Sequence, residues 1–180
     1  MAWGVVEGRA TEDSPLAGLK KEHPRLLVDA GTWESLRQQR QDDQRLDQLL
    51  GRLEELGRLE LGKPPMAYEK RGRRLLSVSR MVLRRVLLWS LNYRITGDKV
   101  FLQASEKEML NAAGFADWNP NHFLDTAEMT AALALGYDWL YDELDPATRQ
   151  ALVTAIKEKG LKSLTEPKGS VSNQMGGVNS

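Results

Sequence analysis

Residues 117–142 read DWNPNHFLDTAEMTAALALGYDWLYD, and this stretch decides the fold because a polar, aromatic loop runs directly into a long apolar helix. The helix predicted over 121–142 carries a run of alanines and leucines between Ala127 and Leu135 that is too apolar for a solvated outer helix. We therefore expect a buried helix, with stacking and hydrogen-bonding side chains gathered at its start.

The preceding and following segments predict further helices that differ in how apolar they are. Leucines at helical spacing within a charged background mark an amphipathic helix over 42–61. A mostly apolar helix follows over 75–96, and Asp98 is placed to cap a third helix that Gly114 ends. Asp145 and the proline after it start one more helix.

The sequence contains no period-2 alternation typical of β-strands, so the predicted fold class is all-α. Buried and amphipathic helices alternate along the chain, which favours an incomplete (α/α) toroid of antiparallel helical hairpins. A plain helical bundle is the alternative. On the helices we expect Lys107 and Glu108 to point outward, and Arg84 and Arg85 to point outward or to extend their charged ends to solvent from a buried stem.

Composition excludes several function classes. The chain has 180 residues, with 25 Lys+Arg against 25 Asp+Glu, so no overall field favours nucleic acid. It has no cysteine and two histidines, which exclude a disulfide framework and make a preformed metal site improbable; neither a metal nor a cofactor is expected. No apolar window reaches the roughly 20 residues that a membrane span needs.

The chain divides into a short arm and one domain. Residues 1–22 mix Gly, Ser, Pro and charges without a period, which predicts a flexible N-terminal arm, and they do not form an intact signal peptide. Residues 23–180 form the predicted helical domain.

Antiparallel packing of successive helices places every second helix start on the same rim of the domain. The loops before the helices near 75 and 121, and the segment around 173, would then meet there. The predicted ligand-contacting residues at this rim are Arg74, Arg80, Trp118, Asn119, Asn121, His122, Asp125, Asn173 and Gln174. Helix N-termini and arginines together suit a carboxylate or a sulfate, so the rim predicts a site for an anionic sugar chain.

Each of these residue types also has a structural interpretation. Basic residues before a helix are usually a solvated face, and Trp118 is more often a packing residue than a sugar platform. Carboxylates such as Asp125 and Glu128 more often complement a helix N-terminus than act as an acid or base.

A second polar cluster lies at the far end of the 121–142 helix. Tyr137, Asp138 and Tyr141 have the side chains that proton transfer needs, but we predict core packing and hydrogen bonding for them, because they lie opposite the rim. His23, which precedes a proline in an extended segment, is predicted to be structural.

Several motifs occur in the order found in one enzyme family. They are HPRLLV at 23–28, RRLLSVSRMVLRRVLLWSLNYRITGD at 73–98, the loop and helix of 117–142, and DPATRQ at 145–150. In these features the chain resembles the N-terminal helical domain of the heparinase II/III-like polysaccharide lyases, from about His23 onward.

The resemblance implies β-elimination on a uronate-containing acidic polysaccharide, such as a glycosaminoglycan or alginate, and a secreted or periplasmic location. It also implies a catalytic Asn/His pair in or beyond SNQMGGVNS at 172–180, and a later tyrosine and a C-terminal β-sandwich. This sequence has no histidine after His122 and no tyrosine after Tyr141. We therefore expect a truncated, substrate-binding part of a lyase that is inactive alone, with no assigned catalytic residue.

Two other functions compete with this expectation. One is a non-catalytic carbohydrate-binding module that uses the same rim, and the other is a helical protein-interaction module. An incomplete toroid would also leave apolar helix faces uncovered, which predicts self-association.

Overall fold

Helices account for most of the part of the chain that the computed structural model describes, residues 18–162. The six α-helices are α1 (Ala30–Asp42), α2 (Gln44–Leu61), α3 (Leu76–Thr96), α4 (Lys99–Ala113), α5 (Phe123–Leu140) and α6 (Pro146–Ala155). Over those same residues there is no strand, only an isolated bridge between Arg71 and Arg74. The all-α prediction is confirmed, while most of the predicted arm, residues 1–17, lies outside the described range.

Aspartate side chains start four of these helices. Asp29, Asp43, Asp98 and Asp145 each accept backbone N–H hydrogen bonds at the first turn of α1, α2, α4 and α6. Such caps satisfy N–H groups that have no partner within the helix. By contrast, α3 and α5 begin without a side-chain cap of their own, so their first N–H groups need partners from elsewhere.

Helices α2 and α3 are antiparallel. Trp89 Nε1 donates to the Gly57 carbonyl at 3.0 Å, and Asn92 Nδ2 donates to the Leu53 carbonyl at 3.0 Å. Because the contacting residue number falls on α2 as it rises on α3, the two helices run in opposite directions.

Helix α4 runs antiparallel to α3, and α5 runs parallel to it. Arg85 of α3 meets Glu108 of α4 at 3.1 Å and Ser90 meets Ser105 at 2.9 Å, so residue numbers fall on α4 as they rise on α3. At one end of the α3/α5 pair the Leu75 N–H binds Asp125, and at the other end Arg94 Nε donates to the Trp139 carbonyl. The predicted antiparallel neighbours are therefore present in α2–α3–α4, and α3 and α5 start at the same end of the molecule.

The core lies between α3, α4 and α5, and a glycine permits their close approach. A Cβ atom built on Gly136 of α5 would come within 2.4 Å of Met109 Sδ and 2.6 Å of Val86 Cγ1. No larger residue fits there without displacing its neighbours. The surrounding fully buried side chains include Phe101, Val82, Val86, Met109, Met129 and Leu133.

Two outward predictions were wrong. Arg85 and Glu108 are both buried, and Arg85 Nη1 lies 3.1 Å from Glu108 Oε2 while its Nε lies 3.2 Å from Glu60 Oε2. Glu108 Oε1 also accepts the Met66 N–H at 3.0 Å. Burial of charges is tolerated here because each has an oppositely charged, hydrogen-bonded partner on another helix. Helical periodicity alone does not reveal such a network.

The end of α6 widens into a π-helical segment, Ile156–Leu161. A Cβ atom on Gly160 would lie 2.5 Å from Thr130 Oγ1 and 3.3 Å from the Trp118 ring. The glycine therefore lets this segment pack directly against α5. None of the described helices is long and apolar enough to cross a membrane.

Candidate functional site

The starts of α3 and α5 lie side by side, as the rim prediction requires. Asp125 Oδ2 accepts the Leu75 N–H at 2.7 Å, so a residue of α5 supplies the cap that α3 lacks. One turn later, Glu128 Oε2 accepts from Ser79 Oγ at 2.6 Å, and Glu128 Oε1 lies 3.2 Å from Arg80 Nε. Both carboxylates therefore complement the α3 N-terminus, which is the structural role that their positions favoured.

Asp125 is the centre of this end of the molecule. It is fully buried, and its Oδ2 accepts a second hydrogen bond from Asn119 Nδ2 at 2.6 Å. Its Oδ1 lies 3.0 Å from His122 Nδ1, but the two atoms are not aligned for a hydrogen bond, and neither has another partner. The His122–Asp125 contact therefore retains unused hydrogen-bonding capacity. Leaving a buried polar atom without a hydrogen bond costs free energy of folding.

Residues 70–74, KRGRR, form a tight turn that we call the basic turn. The Arg71 N–H donates to the Arg74 carbonyl at 2.9 Å, and the Arg74 N–H donates back at 3.2 Å. Gly72 has φ 62°, a left-handed conformation that glycine adopts readily. Lys70, Arg71, Arg73 and Arg74 are all exposed, and within residues 18–162 none of them is in an ion pair. The basic turn therefore concentrates exposed positive charge beside the two helix starts.

Tyr68 and Asp117 hold the base of the turn. Tyr68 Oη donates to Asp117 Oδ1 at 2.5 Å, and the Lys70 ammonium lies 5.5 Å from the centre of the Tyr68 ring. Burial and this hydrogen bond raise the pKa of Tyr68 above its usual value. Burial opposes ionisation of Asp117, but the bonds from Tyr68 and from the Asn119 N–H outweigh it and lower the pKa of Asp117. Asp117 is thus an anion held by two neutral donors, and the charges of Lys70 and Lys159 also favour it.

The predicted site residues separate into three groups. Arg74, Asn121 and Arg80 are exposed, and His122 is partly exposed, so these four are accessible to a ligand. Trp118, Asn119 and Asp125 are buried to 0%, 2% and 0% exposure. Asn173 and Gln174 lie outside the described residues.

The prediction that Trp118 contacts a sugar directly is therefore wrong, because this side chain is fully buried. Its Nε1 donates to the Ala112 carbonyl at 3.0 Å, and its own carbonyl accepts from Thr126 Oγ1 at 2.8 Å. The indole is a core side chain that fixes the loop before α5, and it has no open face for stacking. Asn119 and Asp125 are likewise unable to touch a polymer on the surface without a change of structure.

Sequence reasoning did not select Tyr68 or Lys70 for this site. The signal that would have found Lys70 is the KRGRR pattern, since a glycine between pairs of basic residues is typical of a tight turn that displays charge. Tyr68 gives no comparable signal, because its contact with Asp117 joins residues 49 positions apart.

The opposite end of α5 has a second buried aspartate. Asp138 Oδ1 lies 2.6 Å from His23 Nδ1, and Asp138 Oδ2 accepts the N–H groups of Arg25 and Leu26 at 2.8 Å each. The His23 ring stacks on Tyr141, with centres 4.0 Å apart. This cluster ties the segment before α1 to α5, as predicted for His23 and Asp138.

Chemically, the rim combines cations, backbone N–H groups and a histidine, which suits binding of an anion. Among residues 18–162 no group of three or more His, Asp or Glu side chains is arranged to hold a metal ion. No family model matches the chain, and no curated protein matches it. The resemblance to the heparinase II/III-like lyases therefore stays a prediction from the motifs.

Proposed function

We propose that this chain is the N-terminal, substrate-binding part of a polysaccharide lyase that cleaves uronate-containing acidic polysaccharide by β-elimination. The observation that carries the proposal is the position of the exposed basic turn, residues 70–74, beside the adjoining starts of α3 and α5. The sugar chain would lie across this rim, in contact with Arg74, His122 and Asn121.

The physical support is electrostatic. The starts of two parallel helices face the same surface, and since the buried Asp125 and the partly buried Glu128 already complement the α3 N-terminus, the charge left for a ligand is that of the exposed basic turn. Arginine guanidinium groups bind carboxylates and sulfates with paired hydrogen bonds, which lysine cannot do. A polymer with an acidic group on each repeat would neutralise several of these charges at once.

The proposal assigns binding, and not cleavage, to this chain by itself. Elimination needs a base to remove the proton beside the uronate carboxylate and an acid to protonate the leaving oxygen. The histidine and tyrosine that the resemblance would supply for these steps have no counterpart after His122 and Tyr141 in this sequence.

The incomplete (α/α) toroid and the secreted or periplasmic location belong to the same proposal. In such a toroid the inner helices run parallel to one another and are joined through antiparallel outer helices. The α3–α4–α5 arrangement, with α3 parallel to α5, supports that assignment.

Calorimetric titration with alginate and heparin-derived oligosaccharides tests the proposal, with a neutral cello-oligosaccharide for comparison. Absorbance of unsaturated uronate, followed in the same samples, separates binding from cleavage. We expect binding of acidic oligosaccharides only, with an affinity that falls as salt rises, and no growth of absorbance. Absence of binding to every acidic oligosaccharide would refute the proposal.

A matched pair of arginine variants places the binding surface. Arg74→Gln removes a cation of the basic turn, whereas Arg52→Gln removes an exposed arginine of α2 that pairs with Glu55 at 2.9 Å. We expect weaker binding for the first variant and unchanged binding for the second. Equal affinities of the two variants would show that Arg74 and the basic turn are not part of the binding surface.

A helical protein-interaction module is the second candidate, and an apolar groove favours it. The groove has a volume of about 410 Å³ between α2 and α3, and it is lined by Leu53, Leu56, Arg84, Leu87, Leu88, Leu91 and Trp139. An apolar surface of this kind is expected to promote association. Sedimentation across a concentration series tests the predicted self-association, and Leu88→Glu should abolish it.

A further inference from the structure

We infer that Asn119 and Asp125 are positioning residues, which hold the basic turn in the geometry that binds an anionic polymer without contacting the polymer themselves. This inference rests on the proposed function, because the basic turn must be the binding element. It changes the role that the sequence gave to both residues, which was direct contact with the ligand.

Two hydrogen bonds from buried side chains reach the backbone around Arg74 in the basic turn. Asn119 Nδ2 donates to the Arg73 carbonyl at 2.9 Å and to Asp125 Oδ2 at 2.6 Å. The same carboxylate oxygen accepts the Leu75 N–H at 2.7 Å. Asn119 and Asp125 therefore fix the backbone on both sides of Arg74.

Asn119 and Asp125 are both buried too deeply to contact a ligand at the surface. Asn119 is 2% exposed and Asp125 is 0% exposed. Asn119 has φ 57°, a left-handed conformation that asparagine tolerates better than most residues. This backbone turn brings its amide group under the basic turn, and Asp117 Oδ1 accepts its N–H at 2.8 Å.

Without this support the basic turn would be free to open. Lys70, Arg71, Arg73 and Arg74 carry four like charges within five residues, and their mutual repulsion favours an opened turn. A polymer that bound an opened turn would have to order it first, and that ordering lowers affinity. Support from the interior removes this cost before the ligand arrives.

The same carboxylate connects the basic turn to His122. Asp125 Oδ1 lies 3.0 Å from His122 Nδ1, so the imidazole ring stands directly against the group that fixes Leu75 and Asn119. One buried carboxylate therefore supports the basic turn and lies directly beside the histidine at the α5 start.

The test is a thermodynamic cycle on binding of an alginate oligosaccharide. Asn119→Gly removes the amide donor but keeps a residue that accepts the left-handed backbone conformation. The triple variant Arg71→Gln, Arg73→Gln, Arg74→Gln removes the charges of the basic turn. We expect Asn119→Gly to weaken binding roughly tenfold in the wild-type background and to have no further effect in the triple variant.

Other results overturn the inference in distinguishable ways. Equal weakening by Asn119→Gly in both backgrounds would mean that Asn119 acts independently of the basic turn. Wild-type affinity in the triple variant would mean that the basic turn does not bind the polymer. Wild-type affinity in Asn119→Gly would mean that Asn119 does not position the turn. A wild-type chain that binds no alginate or heparin-derived oligosaccharide would refute the proposed function, and this inference with it.

A second measurement does not depend on the folding of a variant. Hydrogen exchange of the Arg71 and Arg74 amides in the wild-type protein reports whether the turn is ordered before binding. Protection should already be present in the free protein and change little when the oligosaccharide binds. Protection that arises only in the complex would contradict positioning by Asn119 and Asp125.

Discussion

Two aspartates buried in the same helix, Asp125 and Asp138, show how similar chemistry serves different ends of α5. Each lies beside a histidine and accepts backbone N–H groups from a segment distant in sequence. Asp138 uses both oxygens, on His23, Arg25 and Leu26. Asp125 uses only Oδ2, and its Oδ1 stays without a hydrogen bond next to His122.

The difference indicates that the Asp138 end of α5 has a structural role and that the Asp125 end is a candidate binding site. At the Asp138 end both carboxylate oxygens are hydrogen-bonded and the histidine is covered by a tyrosine ring, although Trp33 Nε1 and Arg94 Nη2, beside Trp139, have no hydrogen-bond partner. At the Asp125 end an unused carboxylate oxygen, a partly exposed histidine and a set of unpaired arginines meet. Unsatisfied buried groups cost stability, and proteins keep them mainly where they serve a function.

The sharpest test of this comparison is removal of each carboxylate. Asp138→Ala would leave the N–H groups of Arg25 and Leu26 without partners and would release His23, so we expect a loss of about 4 kcal/mol in the free energy of unfolding. Urea denaturation measures this loss.

For Asp125→Ala we expect a smaller loss of about 2–3 kcal/mol, because only Oδ2 is bonded. Denaturation under the same conditions gives the difference between the two variants. If Asp125→Ala lost as much free energy of unfolding as Asp138→Ala, or more, the Asp125 end of α5 would have the larger structural role. That result would contradict the comparison.

The two histidines extend the comparison to their partners. His23→Ala removes a 2.6 Å hydrogen bond and a stacked ring, and it should cost about 1.5–2 kcal/mol of stability. His122→Ala removes no aligned bond, so we expect less than about 0.5 kcal/mol. Thermal unfolding of both variants checks the order, and the reverse order would contradict a functional assignment for His122.

The smallest effect that we predict is a response to acid. The Thr32 N–H and Lys20 lower the pKa of Asp29 to about 2, and the Thr148 N–H and hydroxyl lower the pKa of Asp145. A carboxyl with a lowered folded-state pKa stabilises the protein above its unfolded pKa, and that stability disappears as pH falls towards the folded value. The melting temperature should therefore drop between pH about 5 and about 2.

Asp29→Asn with Asp145→Asn keeps both caps but removes both titrations. The double variant should show a shallower drop in melting temperature over the same pH range than the wild type. Parallel curves for the two proteins would mean that other carboxyls cause the acid response.

Much of the helical pattern was predictable, and particular residues show where prediction stops. Asp98 and Asp145 identified two helix starts correctly, because capping depends on local sequence. Arg85 and Glu108 were misjudged because their burial depends on partners far away in the chain, and Trp118 because its burial depends on how the loop before α5 packs, including against Gly160. Arg85, for example, meets Glu60 and Glu108, which lie 25 and 23 positions away.

The sequence by itself determined the all-helical class, the order of helices α2 to α6 and the meeting of the α3 and α5 starts. Local periodicity, caps and short connections suffice for these features, since they depend on neighbouring residues. Only the tertiary structure decided which of the rim residues are exposed, and that Asn119 and Asp125 lie beneath the basic turn. Burial and long-range hydrogen bonds arise from packing between segments. The same type of polar side chain therefore contacts a ligand when it is exposed and holds other residues in place when it is buried.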